Sequence, residues 1–250
     1  MRSCGFCGGP GVNKEHLWPN WLRKVILASR SGGGQKKFRA QLERGGRTIS
    51  FVKPSLEIEV GMPCKTCNEG WMHRLEEQVK SFMTDMVDRG LKTLLDDYRQ
   101  TLLTRWIIKT AMVYEFTDPL AEQKYFSEGD RKAFKESFAL PSNLWIWLAR
   151  YDGVMPVHSL QLRAPKLPDV VPNVYSMTLG ANFLLAQVFA YRAGAGDLSQ
   201  IPLATKGPRL HQLYPRADGW LTWPPEKTID DDELQVLDYR FRDVIGGTVV

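Results

Sequence analysis

The chain's four cysteines fall in two pairs, Cys4-Gly5-Phe6-Cys7 and Cys64-Lys65-Thr66-Cys67. A two-residue gap lets both thiolates of a pair face one cation, and Gly5, Gly8 and Gly9 stand where such turns need them. Two pairs supply four soft ligands, the closed tetrahedral set of a structural zinc site. The competing reading is four buried or redox-active thiols. A redox C-x-x-C belongs in a strand–helix–strand setting, and neither pair has one. Between the pairs lies Lys14-Glu15-His16-Leu17-Trp18-Pro19, and Asn68 directly follows the second pair. A carboxylate and an amide oxygen are hard ligands suited to Mg²⁺ or Mn²⁺. A neutral imidazole beside them can take a proton from water near neutral pH. On a regular strand Glu15 and His16 point to opposite sides, so they converge only if the chain bends near Pro19.

The order Cys-x-x-Cys, an acidic-His pair with Pro three residues on, and Cys-x-x-Cys-Asn resembles the HNH (ββα-metal) nuclease superfamily. Within it the resemblance is to the four-cysteine branch that includes phage endonuclease VII. It covers about residues 1–75 and implies a zinc-braced hairpin and helix. Cys4, Cys7, Cys64 and Cys67 take the zinc positions. Glu15 and Asn68 take those of the ligands to a catalytic Mg²⁺ or Mn²⁺, and His16 that of the general base. It further implies a DNA partner, double-stranded or branched. Roles in phage packaging, mobile elements or defence are family-level expectations. His73, five residues beyond Asn68, is a secondary phosphate or metal contact at most. Glu15 stands where Asp is commoner in this family, which keeps a second reading open: a zinc-stabilised nucleic-acid-binding or regulatory protein with a degenerate site. A third reading makes residues 75–250 the business end, binding a partner or signal.

The positioning elements are legible in outline. Ala28–Thr48 is glycine-punctuated and basic, a mobile loop or long exposed hairpin. Phe51–Val60 alternates as a strand does, and Pro54 argues against a central one. Leu75–Asp88 carries apolar residues at three- and four-residue spacings, and Gly90 is a stop signal. Thr101–Phe116 has a broad apolar face, as a central core helix does. Ser127 with Asp130 resembles a helix cap, with the helix over Asp130–Phe138. Leu144–Tyr151 and Ser159–Ala164 read as strands, and Val174–Arg192 as two strands around Gly180 and Asn182. The proline-rich 201–225 reads as partly irregular and Asp230–Phe241 as a terminal helix. The expected fold class is α+β, with an N-terminal zinc-stabilised ββα-metal module over 1–74. A larger mixed helical and strand domain of unknown role follows over 75–250. Trp18, Trp21 and Trp71 suit a miniature core around the motif better than base-stacking platforms.

Charge agrees with an anionic partner at one end. The 250 residues carry 33 Lys and Arg against 28 Asp and Glu, a net +5. Residues 1–74 hold 13 of the bases and 5 of the acids, or +8; the remainder holds 20 and 23, or −3. Lys14, Arg23, Lys24, Lys36, Lys37 and Arg39 are candidate phosphate contacts, sequence-independent in kind, although a basic loop of this composition can also simply be solvated. At 43% hydrophobic and 24% charged the chain is neither disordered nor fibrous. No apolar run approaches the ~20 residues of a membrane span, and the first residues lack a signal peptide's apolar stretch. The expected location is cytoplasmic, with a homodimer left open.

Overall fold

The structure is a computed structural model. It describes residues 2–29, 38–44, 47–53, 56–117, 124–164, 173–192, 209–216 and 219–239, with backbone alone at 29, 38–44, 47–53, 163–164 and 239. It contains both helices and antiparallel sheets, an α+β composition.

The N-terminal third starts with the first cysteine turn and β1 (Lys14–His16). Helix α1 (Asn20–Ser29) follows, then β2 (Phe38–Arg44) and β3 (Arg47–Lys53), which pair as a hairpin. Of the two forms expected for the basic insertion, the hairpin is present; residues 30–37 lie outside the described residues. Strand β4 (Glu59–Gly61) returns antiparallel to β1, with Glu15 opposite Val60 and His16 opposite Glu59. Next come α2 (Lys65–Cys67), a π-turn (Asn68–Met72) and α3 (His73–Arg89). The π-turn kinks at Gly70, where φ is −92° and ψ −108°. Helix α3 buries Leu75, Val79, Phe82, Met83, Met86 and Val87, the face read from their spacing. It ends at Gly90, whose φ of 62° is left-handed.

A short β5 (Thr93–Leu95) leads to α4 (Asp97–Tyr114). Asp96 caps this helix by accepting from the Arg99 backbone N–H, so the helix starts at Asp97, four residues ahead of where the apolar face alone placed it. Most of α4 is buried, as a central helix must be, and Lys109 is among its buried residues. Helix α5 (Glu128–Ser137) opens with a reciprocal capping box between Ser127 and Asp130.

Five strands then form one antiparallel sheet: β6 (Leu144–Arg150), β7 (Val157–Ala164), β8 (Val174–Ala181), β9 (Leu184–Tyr191) and β10 (His211–Tyr214). Their order is β10-β6-β9-β8-β7. The β8–β9 turn sits at Asn182, with φ 45°, inside the segment read as two strands. All eight residues of β8 are buried, because both faces of the sheet are covered. One face (Ile146, Met177, Leu179, Ala186, Val188) joins the core around α4. The other (Ala149, Leu185) packs on Leu234 and Leu237 of α6 (Asp231–Tyr239). Within the segment read as partly irregular, two short strands are present: β10 pairs with β6, and β11 (Leu221–Trp223) with β5; residues 201–208, 217 and 218 lie outside the described residues.

One apolar cluster runs from Cys4 and Phe6 through Trp18, Met72 and Met83 to Trp106, Phe134 and Met177. Buried side chains of residues 1–74 and of the following segment thus share a core. Trp18 is fully within it, and Trp21 and Trp71 pack against it half-buried. Among the described residues no helix is long and apolar enough to cross a membrane.

Candidate metal centre and its neighbouring charge cluster

The two cysteine turns dock on each other through backbone. Cys4 N–H donates to the Gly9 carbonyl at 2.8 Å and Gly8 N–H to the Cys4 carbonyl at 2.9 Å, closing the first turn. Gly8 is left-handed there, with φ 69°. Gly5 N–H donates to the Met62 carbonyl at 2.9 Å, and a Cβ at Gly5 would come within 2.9 Å of the Met62 side chain. The turns therefore sit flush, and the four Sγ atoms lie within 4.8 Å of one another. Tetrahedral zinc at ~2.3 Å from each sulfur requires S···S separations of about 3.8 Å. The Cys7 and Cys64 sulfurs are 3.7 Å apart.

The electrostatics also suit a cation. Burial pushes the Cys4 thiol up, but backbone N–H groups, Cys64's first at 3.1 Å, more than offset it and bring the group down to about 7. Burial and the neighbouring Cys4 sulfur push Cys67 up. Four thiolates in one place repel one another, and a dication at their centre relieves that. The residues present fit zinc.

Glu15 and Asn68 meet. Asn68 N–H donates to the Cys64 carbonyl at 3.0 Å, so the helix begins on the second cysteine turn, directly beneath β1. The Asn68 amide donates to the Lys14 carbonyl at 3.1 Å, one residue before Glu15, and acts to lower the Glu15 pKa. Glu15 points inward and is only 6% exposed. There it meets two residues the motif does not contain. Lys109 Nζ lies 3.5 Å from Glu15 Oε1 and 2.8 Å from Glu76 Oε1. Burying an ammonium alone costs several kcal/mol, so Lys109 lies in the core by virtue of the two carboxylates. Burial pushes Glu15 above the usual carboxylate range, with Lys109 acting in the opposite direction. Lys109, which burial would lower, is raised by Glu76 and Glu15.

His16 is not brought to this cluster. The pairing of β1 with β4 is regular through all three residues, so Glu15 and His16 lie on opposite sides. His16 is half-buried with Lys14 and Glu59: its Nε2 is 3.6 Å from Glu59 Oε1, and Lys14 Nζ is 2.7 Å from Glu59 Oε2. Its Nδ1 is buried with no hydrogen-bond partner among the described residues. His73 is exposed at the start of α3.

Two of the candidate phosphate contacts are neutralised by acids. Lys14 pairs with Glu59, and Arg23 pairs with Glu57 at 3.2 Å. Lys24 is exposed. Lys36 and Lys37, and the side chain of Arg39, lie outside the described residues.

Three residues escaped the sequence reading. Glu76 lies eight positions after Asn68, near two helical turns, and that spacing was a usable signal. Glu59 faces His16 through strand pairing, visible only once β1 and β4 are aligned. Lys109, set among Ile107, Ile108, Thr110 and Ala111, stood out as a charge on an apolar face, but its partners are 94 and 33 residues away. No family model matches the chain, and comparisons with curated proteins and with solved structures return no match either.

Proposed function

We propose that this protein is a metal-dependent endonuclease of the HNH kind, hydrolysing DNA phosphodiester bonds. One observation carries the reading. The residue directly after the fourth cysteine, Asn68, donates its amide to the β1 backbone at Lys14, the residue before the buried Glu15, beside a four-sulfur cluster sized for zinc. The chain order of β1, β4 and the long helix after them is also the strand, strand, helix order that the resemblance implies. In this reading zinc occupies the cysteines, and a Mg²⁺ or Mn²⁺ ion would be held by Glu15 and Asn68. The ion would supply charge neutralisation at the leaving oxygen. His16 takes the proton from water, with Glu59 as its carboxylate partner. To act beside Glu15 its ring must turn about the end of β1, where the strand stops before Pro19. Residues 1–74 form the nuclease module and carry the positive excess toward DNA. The remainder contributes to the same core and to a separate role.

A second reading is favoured by two specific observations: Glu15 and His16 face opposite sides of β1, and Lys109 already neutralises Glu15. On that reading the chain is a zinc-stabilised nucleic-acid-binding or regulatory protein with a degenerate site. The deciding experiment incubates supercoiled plasmid with the protein and Mg²⁺ or Mn²⁺, alongside His16→Ala. Nicking by the wild type that is lost in His16→Ala supports the nuclease. Equal cleavage by both sinks the mechanism. A salt-sensitive gel shift without cleavage selects the second reading.

A further inference from the structure

Lys109 is a buried charge to which the proposed chemistry assigns no task. We infer that it is the resident counter-ion of the site: its ammonium holds Glu15 while no divalent cation is bound, and a cation arriving at Glu15 and Asn68 takes Glu15 from it. The inference rests on the proposed cation site and adds how that site is regulated.

The two contacts of Nζ are unequal. At 2.8 Å the bond to Glu76 is a full charge-assisted hydrogen bond; at 3.5 Å the contact to Glu15 is at the limit of one. Lys109 is thus anchored on Glu76 and loosely attached to Glu15. Glu15 can change partner while the buried ammonium stays neutralised, so the exchange leaves no naked charge in the core. The Asn68 amide nitrogen donates to the Lys14 carbonyl at 3.1 Å in the resting arrangement. It must turn its oxygen inward to ligate, which adds to the resistance. A fixed positive charge beside the carboxylate also repels a second cation. The site should therefore take a divalent ion weakly when alone, and better when phosphate oxygens of a polyanion add ligands. Lys109 belongs to α4, outside residues 1–75, so the body of the protein sets the charge of a site whose motif lies in the N-terminal third.

The test titrates Mn²⁺ calorimetrically into the zinc-loaded full-length chain, as wild type, Lys109→Gln, Glu76→Gln and Glu15→Gln. Lys109→Gln should bind Mn²⁺ roughly tenfold or more tightly than wild type, since a unit charge a few ångströms away is worth at least that in a protein interior. Glu76→Gln should bind more weakly, because the ammonium is left with Glu15 alone. Glu15→Gln should abolish binding, which ties the heat to this site. If Lys109→Gln binds no more tightly than wild type while Glu15→Gln still abolishes binding, the cation site stands and the role of Lys109 is overturned. If none of the four proteins binds Mn²⁺, the cation site and the inference both fall. Should Lys109→Gln not fold, Glu76→Gln decides: an affinity equal to or above wild type overturns the inference.

Discussion

Single residues set charge and hydrogen-bond balance at the points where this core admits polarity. Glu115 is fully buried and accepts the backbone N–H groups of Tyr125 and Phe126 at 2.7 and 3.0 Å. Glu115→Ala strands both donors, and a loss of about 2–4 kcal/mol in urea unfolding is expected. Asp130 shows the opposite balance, a carboxylate made more acidic by its setting. Burial pushes it up, but the Ser127 hydroxyl and N–H and the Arg192 guanidinium outweigh that and hold it below the usual range. Stability from Asp130 is therefore fully present above its unfolded pKa of about 3.9 and lost as pH falls through the lower folded value. Wild type should lose more stability than Asp130→Asn on acidification from pH 5 to pH 2. Parallel curves for the two would show that Asp130 contributes no pH dependence.

Elements depend on their ends as much as on their faces. The apolar spacing of α3 and α4 gave their buried faces, but caps gave their boundaries. Asp96→Ala removes the acceptor for Arg99 N–H and should cost about 1 kcal/mol, with thermal melting as the measure. Gly90→Ala should cost more. The residue is left-handed, and a Cβ there would meet the Phe183 ring at 3.1 Å and the Arg150 guanidinium at 3.2 Å. An unchanged melting temperature in Gly90→Ala would mean that the end of α3 relaxes freely. The small strands were harder to read. β10 and β11, of four and three residues, lie among prolines and are too short for a period to show; pairing with β6 and β5 makes them strands.

For the molecule as a whole, the cysteine cluster is tied into the core on several sides. Phe6, within the first cysteine turn, meets Trp71 edge-on at 5.0 Å, and Trp71 meets Phe134 and Phe138 of the α5 region at 5.9 and 6.1 Å. Arg131 of α5 donates to the Gly5 carbonyl at 2.8 Å. Purified protein should carry about one equivalent of zinc, and chelation should lower the melting temperature of the entire chain in one transition. It should also change the near-ultraviolet dichroism of Trp71. An early separate transition, with the sheet melting where it did before, would show that the N-terminal third unfolds independently.

Amino-acid order determined what is local or fully accounted for by count. The two C-x-x-C pairs, the placing of Glu15, His16 and Asn68 around them, and the long helices with their stop signals all follow from spacings of a few residues. Backbone geometry acts at that range, so the pattern is visible in the chain. Folding in three dimensions decided which charges meet. Regular pairing of β1 with β4 turned His16 to Glu59 and Glu15 inward. The packing of α3 against α4 then brought Glu76 and Lys109 to Glu15. A buried ion pair leaves no period in the sequence. It records a low-dielectric interior in which an ammonium is tolerated only where carboxylates from distant segments arrive at the same point.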